Sequence, residues 1–287
     1  MKISLGTHIS SFTVLNIKGN DVICECICGR VFSATKYEVM FGKVRSCGCL
    51  SYEGEEYLIK LFRYYDKYNR SAKYKGHEFN LDINEFVTLI NSRCHYCGSH
   101  PNHTVNVYGK KLLCNGIDRV NSEKGYCIDN VVTSCRICNY SKRDSSYDSY
   151  IEQNNKIYNN FFYAFIKPKS FTWVDPRYYK ILHSLIKGSA KGKKIPFELS
   201  IAETINLISQ PCFYCGEGYT TVYVVNSNKK TELHLNGIDR INSIKGYING
   251  NVLPCCKTCN FMKREYPFTK FLNQVKLIHL WRTYGSV

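Results

Sequence analysis

The strongest constraint on how this chain can fold is an internal repeat framed by cysteines. The segment NGIDRVNSEKGYCIDNVVTSCRICN (115–139) aligns without a gap with NGIDRINSIKGYINGNVLPCCKTCN (236–260), and 15 of 25 positions are identical. The offset is 121 residues (236 − 115). The match continues upstream at an offset of 118, from Ser71 in SAKYKGHEFNLDINEFVTLINSRCHYCG and from Ser189 in SAKGKKIPFELSIAETINLISQPCFYCG. Repetition this close means one architectural unit used twice.

Each copy carries two CxxC pairs: Cys94 and Cys97 with Cys135 and Cys138, then Cys212 and Cys215 with Cys256 and Cys259. Two thiolates three residues apart occupy neighbouring corners of a tetrahedron, and a second pair closes it with no position left for water. That is the pattern of structural zinc. At the N-terminus, CECICG and SCGCL supply Cys26, Cys28, Cys47 and Cys49, a third zinc set in CxC form. Cys24, Cys114, Cys127 and Cys255 stay unassigned. The last three face Leu235, Ile248 and Ser134 in the other copy, which favours core packing over ligation. In a short secreted protein sixteen cysteines would suggest disulfides, but pairs this close in a chain of 287 residues point to metal.

Each copy reads in the same order. An apolar-periodic helix (81–90 or 199–208) leads to the first CxxC, and alternating β-formers (104–113 or 220–235) suggest a hairpin. An Asp-Arg turn, a Gly-Tyr turn and the second CxxC follow. That pair runs into a helix with Lys142 and Arg143, or Lys263 and Arg264, expected near its start. The fold class is α+β: two tandem zinc-stapled β-β-α units with helical flanks, plus a small N-terminal zinc module. Residues 1–50 form that module, 51–166 the first unit, 167–176 a linker and 177–287 the second unit. An Asn- and Tyr-rich helix is expected over 147–165.

The balance of 39 Lys+Arg against 23 Asp+Glu, a net charge of +16, favours a polyanionic partner through counterion release. Double-stranded DNA is the expected partner. No stretch approaches the roughly 20 apolar residues that span a membrane, and the first residues lack a signal-peptide core. A reducing cytoplasm is the expected compartment.

Within each cysteine frame, Asp118-Arg119 precedes Asn139, and Asp239-Arg240 precedes Asn260. A carboxylate and an amide there can share one hard cation such as Mg²⁺ or Mn²⁺, which takes oxygen ligands and keeps several waters. On these residues the chain resembles the HNH, or ββα-metal, nucleases. The resemblance implies Asp118, Asn139, Asp239 and Asn260 as ligands of up to two catalytic metals, and Asn130 and Asn251 as the residues that orient the catalytic loop. Arg119 and Arg240 stand where the family's usual base is His. This resembles a branch of rare-cutting restriction enzymes in which Asp-Arg is joined by a Tyr of the first CxxC, here Tyr96 in CHYC and Tyr214 in CFYC, and by an upstream His, here His77. The Arg would favour an ionised phenol and hold phosphate. The second copy has Ile195 in place of His77.

Other readings of the same residues stay open. Tyr96 and Tyr214 could pack on the zinc thiolates, and His77 could be a loop residue. Lys142, Arg143, Lys263 and Arg264, with Lys43 and Arg45 in the N-terminal module, are candidate phosphate contacts or a solvated face. The expectation is a pseudo-twofold monomeric DNA endonuclease of homing or restriction type. The alternative is a non-catalytic zinc protein that binds nucleic acid.

Overall fold

The computed structural model describes residues 3–9, 12–26, 30–41, 43–44, 47, 52–107, 109–163, 171–226 and 231–285. Its chain forms two compact units, Met1–Ser71 with Thr104–Leu112, and Ala72–His103 with Leu113–Val287. The structure mixes α and β, and both cysteine quartets of the repeat lie in the second unit.

The first unit opens with a four-stranded antiparallel sheet in the order β1 (His8–Ile9), β2 (Phe12–Lys18), β3 (Asp21–Cys26), β4 (Val31–Thr35). Alternation along β2 and β3 puts Phe12, Val14, Val22 and Cys24 on one face, where they pack with Ala34 and with Val39 of helix α1 (Lys36–Met40). Thr35 and Glu38 close a reciprocal capping box that starts α1. Sequence reasoning expected a zinc module here and missed this sheet. Of its four proposed ligands, Cys26 ends β3 buried and Cys47 is half-buried, while Cys28 and Cys49 lie outside the described residues. Helix α2 (Tyr52–Tyr74) follows.

The second unit contains both copies apart from Thr104–Leu112, the greater part of the hairpin between the first copy's CxxC pairs, which groups with the first unit. Helix α3 (Ile83–Asn91) begins on an Asp82/Glu85 capping box and buries Phe86 and Ile90. A two-stranded hairpin, β5 (His103–Val107) and β6 (Lys110–Cys114), separates the two CxxC pairs. It is not the β-β of the expected β-β-α. That role belongs to β7 (Gly116–Arg119) and β8 (Val131–Ser134), which pair antiparallel with Asp118 opposite Val132. The Asp-Arg pair therefore ends a strand instead of forming a turn. Helix α4 (Arg136–Lys142) completes the motif, with Cys135 of the first quartet as its N-cap. Helix α5 (Tyr147–Tyr158) continues as a π-helical turn to Tyr163.

The second copy repeats this after α6 (Tyr179–Gly192). Helix α7 (Ile201–Ile208) starts on a Ser200/Glu203 capping box, and β9 (Thr221–Asn226) pairs with β10 (Thr231–Leu235). Strand β11 (Gly237–Arg240) pairs with β12 (Val252–Cys255) with Asp239 opposite Leu253. Helices α8 (Lys257–Lys263) and α9 (Phe268–Tyr284) end the chain.

One glycine in each copy fixes the loop between the paired strands. A Cβ on Gly125 would lie 2.6 Å from the Glu78 carbonyl oxygen, and one on Gly246 would lie 2.5 Å from that of Pro196. Bare glycine lets Tyr126 and Tyr247 bridge to Phe79 and Phe197.

A single core spans both copies through α5 and α9, each of which also packs on the CxxC tyrosine of its own copy, Tyr150 against Tyr96 and Phe271 against Tyr214. Tyr150 and Ile157 of α5 pack with Phe271, Val275 and Ile278 of α9 around both cysteine quartets. Gln274 of α9 donates to Cys138 Sγ of the first quartet at 3.1 Å, and Gln153 of α5 donates to Cys259 Sγ of the second at 3.2 Å. These glutamines are themselves 121 residues apart (274 − 153). Each half thus hydrogen-bonds a cysteine of the other half's quartet.

Candidate active site and nucleic-acid cleft

The two quartets are closed and buried. The sulfur atoms of Cys94, Cys97, Cys135 and Cys138 lie within 4.8 Å of one another, and so do those of Cys212, Cys215, Cys256 and Cys259. Zinc–sulfur bonds of about 2.3 Å in a tetrahedron demand sulfur spacings of about 3.8 Å. Cys97 and Cys135 are 3.7 Å apart, and Cys215 and Cys256 are 3.8 Å apart. Both quartets could hold zinc.

Next to each quartet lies a buried trio. Tyr96 Oη donates to Asp118 Oδ2 at 2.6 Å, and Lys142 Nζ lies 3.2 Å from the same oxygen and donates to the Arg119 carbonyl at 2.9 Å. In the second copy Tyr214 Oη donates to Asp239 Oδ2 at 2.7 Å, and Lys263 Nζ lies 3.1 Å from that oxygen and donates to the Arg240 carbonyl at 2.7 Å. Both tyrosines and both lysines are wholly buried.

This geometry corrects two expectations. Lys142 and Lys263 end their helices instead of beginning them, and their ammonium groups are spent on a carboxylate and a carbonyl. They cannot reach a phosphate from there. The phenols of Tyr96 and Tyr214 are held neutral, because burial foremost, and then the negative carboxylate they bond, push both well above the ordinary phenol range. The arginines are occupied elsewhere. Arg119 donates to the Lys124 carbonyl at 3.0 Å and lies 5.3 Å over the Tyr126 ring; Arg240 donates to the Lys245 carbonyl at 3.0 Å and lies 5.4 Å over Tyr247.

Burial raises the carboxyls of Asp118 and Asp239, while the phenol hydrogen bond and the lysine charge pull them back toward ionisation. Asn139 Nδ2 donates to the carbonyl of Ile117, the residue before Asp118, at 3.0 Å, which leaves its amide oxygen available beside that strand. Asn130 and Asn251 brace the loop after the Asp-Arg pair. Asn130 accepts from the Asn121 amide and donates to the Asn121 and Gly125 carbonyls, and Asn251 does the same with Asn242 and Gly246. His77 is half-buried; burial first, then the Arg119 charge, keeps its imidazole below the usual range and so neutral at neutral pH.

The second constellation opens on a cleft of about 1210 Å³ between the copies, where Asp239, Arg240, Asn260 and Ile195 line one side. The cleft's basic side chains are Arg136, Arg143, Lys193, Arg240, Arg264 and Lys270. Among the described residues, the acids that line it are Asp239 and Glu265. Such a surface suits a phosphate backbone. Arg143 and Arg264 thus share one cleft, as their matching sequence positions allow. Lys43, in the first unit, is exposed with its ammonium 4.7 Å over the Tyr37 ring, and Arg45 lies outside the described residues.

Sequence reasoning missed the Asp–Lys pairing, the Tyr126 and Tyr247 platforms under the arginines, the glutamine–thiol bonds and His103, which lines the cleft with its imidazole lowered by burial and by the Arg136 and Lys270 charges. Recurrence at the constant offset of 121 marks the lysines, tyrosines and glutamines in both copies. Nothing comparable marks His103.

No family model matches the chain. It is 34% identical over 202 residues to the uncharacterized protein R423 of Acanthamoeba polyphaga mimivirus, a match covering 70% of this chain and 34% of that protein. The chain therefore spans about a third of the length of this relative. Among solved structures it is similar to the rare-cutting HNH restriction endonuclease PacI, with 22% identity and a TM-score of 0.28 over 43% of this chain and 84% of that one. Among the described residues, no helix is long and apolar enough to cross a membrane.

Proposed function

We propose that the protein is a metal-dependent endonuclease that cleaves duplex DNA, one strand at each half, as a restriction-type or homing-type enzyme. The observation that carries this reading is the meeting of Asp239, Arg240 and Asn260 in a cleft lined by six basic side chains, in a chain that repeats the same constellation 121 residues earlier. In the first copy the donor set fits a hard divalent cation: Tyr96 and Lys142 occupy Asp118 Oδ2, so a carboxylate oxygen and the Asn139 amide oxygen supply the one or two protein ligands that Mg²⁺ accepts. In the second copy Lys263 also donates to Asp239 Oδ1 at 3.1 Å, and a metal there would share that oxygen with it. When bound there, Mg²⁺ or Mn²⁺ would polarise the phosphate and stabilise the leaving oxygen.

The chain's own groups do the rest. Lys142 and Lys263 fix the carboxylate rotamers, and Asn130 and Asn251 hold the loops that present Arg119 and Arg240 for phosphate. Neutral His77 accepts a proton from attacking water in the first half, and Ile195 leaves the second half without that base. The resulting rates differ between halves.

Incubation of supercoiled plasmid and phage DNA with the protein and Mg²⁺ or Mn²⁺ tests the reading. Cutting that disappears in Asp118→Asn/Asp239→Asn, with DNA binding kept, supports it. DNA binding by a wild type that leaves varied DNA intact would instead make it a non-catalytic zinc protein.

A further inference from the structure

Helices α4 and α8 pack side by side between the two constellations, with Ser141 Oγ donating to the Met262 carbonyl at 2.8 Å. Directly after the proposed ligands Asn139 and Asn260 come Tyr140 and Phe261, partners at the 121-residue offset. Neither ring is buried: Tyr140 is 49% exposed and Phe261 50%. Each is stacked by an arginine of the opposite half, Arg264 5.3 Å over Tyr140 and Arg143 5.7 Å over Phe261. All four side chains line the basic cleft.

The two arginines carry a second signal. Arg143 and Arg264 both sit at φ 52°, just past the helix end, where glycine is the unstrained residue. Keeping a strained arginine in both copies indicates that the side chain is needed there. Positive charge flanking an exposed aromatic matches a negatively charged, stacked polymer, since guanidinium groups meet phosphates and rings meet base faces.

We infer that Tyr140 and Phe261 form a paired wedge that enters the base stack of duplex DNA between the two cutting sites, with Arg143 and Arg264 released from the rings to grip the flanking phosphates. Insertion unstacks a base step and unwinds the helix there. This rests on the proposed nuclease reading, but its test is separate.

Full-length protein is bound to relaxed plasmid with Ca²⁺ in place of Mg²⁺, a type IB topoisomerase is added, and the topoisomers are resolved after the protein is removed. Wild type is expected to lower the linking number. Tyr140→Ala/Phe261→Ala, with zinc content and melting temperature as fold controls, should abolish the shift and weaken duplex affinity by about tenfold or more. The swap Tyr140→Phe/Phe261→Tyr should retain both. A wild type that binds or cuts DNA yet leaves the linking number unchanged overturns the wedge alone, as does an alanine pair that shifts it like wild type. A wild type that neither binds nor cuts overturns the nuclease reading and the wedge with it.

Discussion

Lys142 Nζ lies 3.2 Å from Asp118 Oδ2 with both side chains out of solvent. Removing one member of such a pair strands the other's charge in the core, at a cost of about 3–5 kcal/mol. Lys142→Met and Lys263→Met are therefore expected to lower unfolding free energy by that amount in urea titration. A loss under about 1 kcal/mol would show that the pair is solvated.

The cross-half glutamines predict cross-talk between the two quartets once both hold zinc. Gln274 belongs to the second copy but bonds Cys138 of the first. Groups that hydrogen-bond a metal ligand typically tune affinity by about 10- to 100-fold. Gln274→Ala should speed chelator extraction from the first quartet while sparing the second, and Gln153→Ala should do the reverse. Equal loss from both sites in either variant would contradict these cross-half bonds.

Arg143→Gly should act in opposite directions on stability and binding. Relief of the positive φ is worth about 1 kcal/mol or more, so the melting temperature rises. Duplex affinity should fall and the salt dependence of binding flatten, as one phosphate contact is lost. A variant that is both less stable and equally tight in binding would contradict the assignment.

The first half should show the pH dependence of an imidazole held neutral. Burial and the Arg119 charge lower His77, so its base form predominates at neutral pH and is lost as pH falls through that lowered pKa. In an Asp239→Asn background, nicking should rise with pH through a midpoint below the ordinary histidine value of about 6.5. His77→Ala should remove that limb and slow nicking by about 10²- to 10⁴-fold. An unchanged profile in His77→Ala would exclude it as the base.

What the sequence made legible was local. Metal quartets are written in short spacings, so Cys94, Cys97, Cys135 and Cys138 could be grouped before any fold was known. Helices that start on capping boxes, as at Asp82 and Ser200, were placed to within about two residues. What was hidden depends on where distant side chains point. Lys142 and Arg143 look like one basic pair, yet the helix end at Lys142 turns the first into the core and the second to solvent. The Asp-Arg pair read as a turn because the hairpin was assigned to 104–113, and only the tertiary pairing of 116–119 with 131–134 shows that it ends a strand. The cross-half bonds left no mark beyond two glutamines at equal offset.

Strand counting on supercoiled plasmid tests the central claim most directly. With Mg²⁺ or Mn²⁺, wild type should yield linear DNA, Asp118→Asn and Asp239→Asn alone only nicked circles from opposite strands, and the double variant neither. Linear product from either single variant at the wild-type rate, or unaltered plasmid with every DNA tried, would contradict a duplex nuclease with one cutting site in each half.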